Sequence, residues 1–411
     1  MRSNFATQPF TFGKLHPSRK RLDGLSRFFF NSSNIIAIAA LAILLLTIIN
    51  QAFTMVGTID MVDRTTLIES PINSLSKTEL ISLLEQNLTA NRIKTLDRDI
   101  PLVERNQAQL ILLVESEVFK TSIVASFNLL DALLHYKSLE TQIITSYPQA
   151  RISMRSWIDW AFITNAMSKK PEEAGVRTAM LGSAFIILIA ILFAFPLGVS
   201  TAIYLEEYEY KTSRLARIIQ LNIDNLAGVP SILYGVLGLA IFVRALGPLT
   251  SGNLFGSEAA NGRTVISAGL TMALLILPIL ITNSQEAIRA VPNSLRLASY
   301  GIGATKWQTI WHHVLPSALP SILTGAILAI SRGLGETAPL IIVGAATYIT
   351  KNPTGLFSSF TALPIQIYNW TTRPQAEFRN AAAAAILVLL ILLLSLNAAA
   401  ILWRNRLHKN R

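Results

Sequence analysis

The sequence predicts an all-α, polytopic membrane protein of six transmembrane helices that carries an extracytoplasmic insert of α or α+β type. Three observations lead there. Of 411 residues, 51% are hydrophobic and 14% charged, a balance that suits a chain spanning lipid rather than a soluble domain. Six apolar segments are long enough to cross a hydrocarbon layer of roughly 30 Å as helices. The basic excess is also one-sided. With the N-terminus in the cytoplasm, the four cytoplasmic pieces hold 16 Lys+Arg against 5 Asp+Glu, the short external loops 4 against 2, and the insert 12 against 15. The positive-inside rule then puts both termini in the cytoplasm. Basic residues scattered over four segments as topology signals exclude a nucleic-acid reading of the net charge of +11. Zero cysteine excludes disulfide staples and thiolate metal sites.

Taken in order, residues 1–33 form a polar, basic leader, expected to be poorly ordered. The first span is placed at Asn34–Val56 (34–56). Basic residues before it resemble a secretory signal, but no small-residue cleavage site follows, and Asn50 to Val56 extends it to spanning length, which favours an anchor. The insert, 57–175, has ordinary soluble composition. Ser76 and Glu79 make a capping box that opens a helix through about Thr89, with Leu80, Ile81, Leu84 and Leu88 on one face. A longer apolar helix is expected over Gln107–Tyr136, with Gln109–Val114 as an alternative strand. Trp157, Trp160 and Phe162 suit the membrane interface, the other reading being packing within the insert.

The remaining five spans, Val176–Leu205, Asn222–Leu246, Val265–Asn283, Ala318–Ala346 and Ala381–Trp403, form a core over 176–403, followed by a tail at 404–411. Pro196, Pro230, Pro278 and Pro339 each fall inside a span, where a missing N–H should kink the helix. Ala381 to Ala385 suits close helix packing.

Residues 286–316 carry the densest signal. Pro292 and the Gly301-Ile302-Gly303 trio divide the polar part into two short helices around a glycine joint. Thr305 and Gln308 form a capping box for the second helix. Trp307, Ile310, Trp311 and Val314 share one face at helical spacing, and Leu315-Pro316 is expected to stop it. An amphipathic helix pair slung between two spans reads as a docking element.

This stretch resembles the cytoplasmic loop of ATP-binding-cassette importer permeases, whose signature is E-A-A-x3-G-x9-I-x-L-P. Ala298, Gly303, Leu315 and Pro316 are kept; Leu297 replaces the glutamate, Ser299 the second alanine and His313 the isoleucine. PEEAG (Pro171 to Gly175), YLEEY (Tyr204 to Tyr208), NLAGVPSILYGVLGLAIFVR (Asn225 to Arg244), RGLGETAPL (Arg332 to Leu340) and LPIQIYNW (Leu363 to Trp370) are similar, in order, to the A-type permease branch of phosphate-specific importers. The resemblance implies a type I importer permease core in the bacterial cytoplasmic membrane. It further implies a second homologous permease subunit, two ATPase subunits that use ATP and Mg, and an extracytoplasmic phosphate-binding protein. The chain itself would bind no cofactor and touch no nucleic acid, its other surroundings being membrane lipid. ATPase docking over 298–316 would fall to Ala298, Ser299, Gly303, Trp307, Ile310, Trp311, Leu315 and Pro316.

Arg332 and Glu336 stand out as intramembrane charges, each costing about 2.5–3.5 kcal/mol at mid-bilayer. Their i, i+4 spacing predicts one shared helix face, together with Ala329 and Gly333. The guanidinium fork suits phosphate oxygens, and a carboxylate beside it would keep binding weak enough for release. A pathway role is favoured over a packing ion pair because RGLGETAPL resembles the phosphate branch, where the matching arginine is implicated in translocation. Arg244 reads as a snorkelling arginine at a helix end, and Asp224 and Asn225 as capping or packing residues. Glu206, Glu207 and Glu209 read as a solvated acidic turn, with contact to a basic ATPase surface as the weaker alternative. His312 and His313 point to different helix faces and make no two-histidine metal site. No phosphate-loop, H-E-x-x-H or G-x-S-x-G pattern occurs, so ATP hydrolysis is expected from a partner. Permeation of another oxyanion, sulfate or molybdate, is the near alternative. A membrane receptor using the external insert is the distant one.

Overall fold

The computed structural model describes residues 17–60, 67, 72–99, 101–119, 121–209, 213–256 and 261–409. Residues 1–16 of the leader, and 410–411 of the tail, lie outside the described residues. Helix α1, Pro17–Ala52, begins well before the apolar run, so the second half of the leader is helical. It also ends earlier than expected: Phe53 to Val56 belong to strand β1, Phe53–Asp60. Side chains along the spanning part of α1 are exposed in this subunit, the condition of an apolar helix whose neighbour is lipid.

The insert is α+β. Strand β1 is central in a three-stranded antiparallel sheet ordered β2-β1-β3, with Met55 opposite both Phe127 and Met154. Helix α2, Lys77–Asn87, starts at the Ser76–Glu79 capping box. Leu80 and Leu84 are buried and Ile81 and Leu88 half-buried, as the periodicity required. Helices α3 (Ala90–Asp99) and α4 (Gln107–Glu117) complete that small core with Leu110 and Val114. The single long helix expected over Gln107–Tyr136 is instead three elements: α4, strand β2 (Thr121–Asn128) and helix α5 (Leu129–Ser146). Ser122 to Phe127 is rich in small and β-branched residues that fit a sheet. Strand β3, Arg151–Ser156, then leads to the short helix α6, Trp160–Thr164. Trp157 and Phe162 are 2% and 4% exposed and pack in the core, Trp157 donating to Thr54 Oγ1 at 2.8 Å, whereas Trp160 is 78% exposed. Only Trp160 keeps the position of an interface ring.

The core follows. Helix α7, Arg177–Ile203, runs on through a π-turn at Tyr204–Tyr208. Helix α8, Arg214–Ala227, and helix α9, Ser231–Gly238, with its π extension Leu239–Ala245, meet at 107°. The third span is therefore broken at Gly228 to Pro230 rather than kinked, because proline drives the residue before it, Val229, away from helical angles. Helix α10, Val265–Arg289, is the most enclosed span; it packs on α7 and on α13, Leu315–Gly335. Between them lie α11, Asn293–Gly301, and α12, Lys306–Thr309. The fifth span ends at Gly335, and α14, Ala338–Val343, restarts it with Pro339 in its first turn, where a missing N–H is harmless. Pro196 and Pro278 do lie inside helices. Helix α15, Leu363–Thr371, precedes α16, Ala376–Lys409. Ala381 to Ala385 are all at most 2% exposed, against Trp370, Phe378, Trp157 and Val176. Among the described residues, five helices are long and apolar enough to cross a membrane, or six if the bent α8–α9 pair counts as one.

Candidate functional site

Two regions concentrate the chemistry. The first is the loop between α10 and α13. Helix α11 ends at Ile302, and Gly303 turns the chain with φ +85°, a left-handed angle that glycine tolerates at little cost. Thr305 caps α12 in the expected box with Gln308. Leu315-Pro316 does not stop the helix: α12 passes through a π-turn at Ile310–Val314 directly into α13. A wide turn relieves the clash between the Pro316 ring and the preceding helical carbonyls, so the proline is carried without a break. The face expected to hold Trp307, Ile310, Trp311 and Val314 together is split by this change of pitch. Ile310 and Val314 are 1% exposed, while Trp307 and Trp311 are 58% and 53% exposed and stack at 5.5 Å.

The expected docking residues thus fall into two groups. Ala298, Gly303, Trp307 and Trp311 are exposed. Ser299 is buried, sharing a 2.9 Å hydrogen bond with Thr309 across the two short helices; with Ile310 and the half-buried Leu315 and Pro316 it holds the loop together. The exposed apolar face is completed by two residues that sequence reasoning passed over, Leu297 at 63% and Ile302 at 84%.

The YLEEY turn is not a solvated acidic turn. The Glu207 side chain is 6% exposed, and Arg296 of α11 donates to its Oε1 from Nη2 at 2.6 Å and from Nε at 3.0 Å. Arg289, at the end of α10, pairs with Glu206 at 2.5 Å. Glu209 accepts from the Tyr204 hydroxyl at 3.0 Å. No signal short of the fold reveals partners 89 residues apart. Asp224 accepts from Gln220 at 2.9 Å on an exposed face of α8.

The second region is Arg332–Glu336. Glu336 is not on the helix but caps it, with extended backbone (φ −77°, ψ 125°), so the pair is not two residues on one helical face. Ala329 and Gly333 are buried against the core, away from Arg332. Arg332 Nε and Glu336 Oε1 stand 3.7 Å apart, with the side chains 54% and 21% exposed. That distance exceeds the 2.7–2.9 Å or so of a strong charged hydrogen bond, and so open an ion pair contributes only about 0–1 kcal/mol. More than half of the Arg332 side chain is left uncovered by this subunit. Beside it the broken span closes tightly: a Cβ on Gly235 of α9 would lie 2.7 Å from Pro339 Cα of α14. Tyr234 of α9 bridges the break by donating to Leu226 O at 2.6 Å.

A central enclosed span, a broken neighbour and an exposed helix-pair loop are matched by sequence: residues 194–409 fit the family described as the binding-protein-dependent transport system inner membrane component. The chain belongs to that family. Three relatives in it bear on the reading. A phosphate transport system permease protein, PstA 1 of Mycobacterium tuberculosis, is 37% identical over 208 residues, 50% of this chain and 63% of the relative. A probable permease protein of an ABC transporter, YqgI of Bacillus subtilis, is 32% identical over 236 residues, 54% and 76% of the two chains. The phosphate transport system permease protein PstA of Yersinia pestis is 34% identical over 236 residues, 57% and 74%. The chain thus spans under two thirds of the first of these. Among solved structures, an inward-facing methionine ABC transporter, MetNI, aligns at a TM-score of 0.42 and 18% identity, over 56% of this chain and 95% of that one. The family match begins within α7 and leaves the insert outside it.

Proposed function

We propose that this inner-membrane component is the permease subunit of an ATP-driven importer of inorganic phosphate. The observation that carries the reading is the half-exposed, weakly paired Arg332 in a core whose relatives include phosphate transport permeases. A guanidinium at a broken span offers forked donors to a tetrahedral oxyanion, and its loose carboxylate partner leaves those donors available. Weak engagement suits passage, since a deep well would hold the ion. The exposed face of Leu297, Ile302, Trp307 and Trp311 is the surface offered to an ATPase, which would supply the ATP and Mg chemistry absent from this chain. Two such ATPases, a second homologous permease and an extracytoplasmic phosphate-binding protein complete the assembly, in the bacterial cytoplasmic membrane with both termini inside. ATPase closure would pull the loop and rock the core helices about the pathway.

The test is uptake of labelled phosphate and, separately, labelled sulfate in cells lacking this subunit and in cells given it back. Restoration of phosphate uptake alone is expected. Restoration of sulfate uptake alone would overturn the substrate, and restoration of neither would overturn the permease role.

A further inference from the structure

The docking loop is braced from inside the same chain. Arg296 uses four N–H bonds: two go to Glu207 Oε1, one to Val291 O at 2.8 Å and one to Ile288 O at 3.0 Å. One side chain therefore joins α11, the carbonyl end of α10 and the π-turn that closes α7. Glu206, the neighbour of Glu207, takes Arg289 from α10. The same turn reaches the other half of the loop, because Lys306, the first residue of α12, lies 5.3 Å from the centre of the Tyr208 ring. Three consecutive residues of YLEEY, after Leu205, thus hold α10, α11 and α12 at once. All three residues lie in the π-wound stretch Tyr204–Tyr208.

We infer that Glu207 and Arg296 form a positioning latch, supported by Glu206–Arg289 and Tyr208–Lys306, that makes the docking loop and the cytoplasmic end of α7 move as one body. The inference rests on the loop being the ATPase-docking element. A push on α12 reaches α13 directly, since the helix is unbroken there, but α7 and α11 need a separate rigid joint, because α11 is short and linked to α12 through an exposed glycine turn. The buried carboxylate and the fork supply that joint. Buried pairs constrain geometry more surely than they add stability, and Arg296 resists replacement because lysine lacks the fixed fork. Glu207, Arg296, Glu206 and Arg289 are assigned as positioning residues, acting through the loop they brace.

The experiment uses the purified permease–ATPase complex with its binding protein in proteoliposomes. It measures labelled phosphate transported per ATP hydrolysed, and the amount of ATPase retained by the permease. Glu207→Gln and Arg296→Gln should each retain the ATPase within twofold of the parent while phosphate per ATP falls at least fivefold. The double variant should be no worse than the poorer single, the signature of one shared contact. Arg296→Lys should recover less than half of the loss. Should either buried variant fail to assemble, Glu206→Gln tests the same joint from its more exposed pair, with an expected twofold to threefold fall. A merely structural role would lower the yield of assembled complex and leave phosphate per ATP unchanged; that result, or multiplicative losses in the double variant, would overturn the latch alone. Failure of the parent chain to retain any ATPase would overturn the docking reading and the latch with it.

Discussion

At the residue scale, Arg332 and Glu79 show how environment decides what a charge can do. Arg332 is more than half exposed and held at 3.7 Å, so removing its charge leaves no tightly buried partner behind. Arg332→Gln should assemble normally while phosphate uptake falls at least tenfold, and Arg332→Lys should recover little of it. Near-parental uptake in assembled Arg332→Gln complexes would remove the pathway assignment. Glu336→Gln should likewise assemble with altered translocation. Glu79 is the opposite case, a carboxylate held in place. The Ser76 backbone N–H and hydroxyl both donate to it, at 2.7 and 2.8 Å, keeping its carboxyl below the ordinary range. A depressed carboxyl contributes stability that is present above its unfolded pKa of about 4.3 and is lost as pH falls through the lower folded value. Protection of the amides over 77–87 in the full chain, corrected for the intrinsic slowing of exchange in acid, should therefore fall on acidification below that value, and Ser76→Ala should shrink the fall. These two capping boxes, Ser76–Glu79 and Thr305–Gln308, were legible because their chemistry closes within three residues. Glu207–Arg296 was not, since only the packing of α7 on α10 brings its partners together.

At the scale of elements, apolar length located the helices and backbone chemistry decided where they break. The spans α7, α10 and α16 stand where the hydropathy put them. The third span is expected to kink at Pro230 and instead breaks at 107°, because its composition is apolar on both sides of Val229-Pro230 and hydropathy is blind to the angle that proline imposes on its predecessor. The reverse error occurred at Leu315-Pro316, where a π-turn absorbs a proline expected to end the helix. The strand β2 was hidden for another reason: a short run of small and apolar residues fits either period. The joint at Gly303 yields a direct test of the loop. No heavy atom lies within 4 Å of a Cβ built there, so Gly303→Val suffers from backbone angle rather than from a clash. The left-handed conformation costs an ordinary residue about 1–2 kcal/mol, enough to shift the loop's population roughly tenfold. The variant should remain in the membrane, retain less ATPase, and lose coupled phosphate uptake. Full coupled uptake would show that the turn is not needed for docking.

For the whole molecule, the architecture follows from composition and length, while the arrangement of insert and core does not. The charge asymmetry predicts an orientation that a reporter can check. A periplasm-dependent reporter fused near Asn128 should be active and one near Lys306 silent, and the reverse pattern would invert every statement about loop and pathway. Arg332 and Glu336 were legible as rare charges in apolar surroundings, but their exposure was not, because it depends on where α13 ends. Beyond the helix at its Ser76–Glu79 box, the insert was legible only as soluble sequence, since β1 pairs with β2 and β3 across roughly 60 to 100 residues.

One junction sets how the insert can behave. Ala52 closes α1 and Phe53 opens β1, with no residue between them free to turn. The strand it becomes is flanked by partners on both edges. Farther along, Ser126 on β2 accepts from Asn380 of α16 at 3.0 Å, and Trp157 shares a core with Phe378. The insert is thus welded to the first and last spans rather than tethered. It cannot be lifted out as a cassette between 57 and 175, since the cut would leave half a strand protruding from a helix in lipid and strip the cover from α16. Through these contacts the insert is part of the frame formed with the first and last spans.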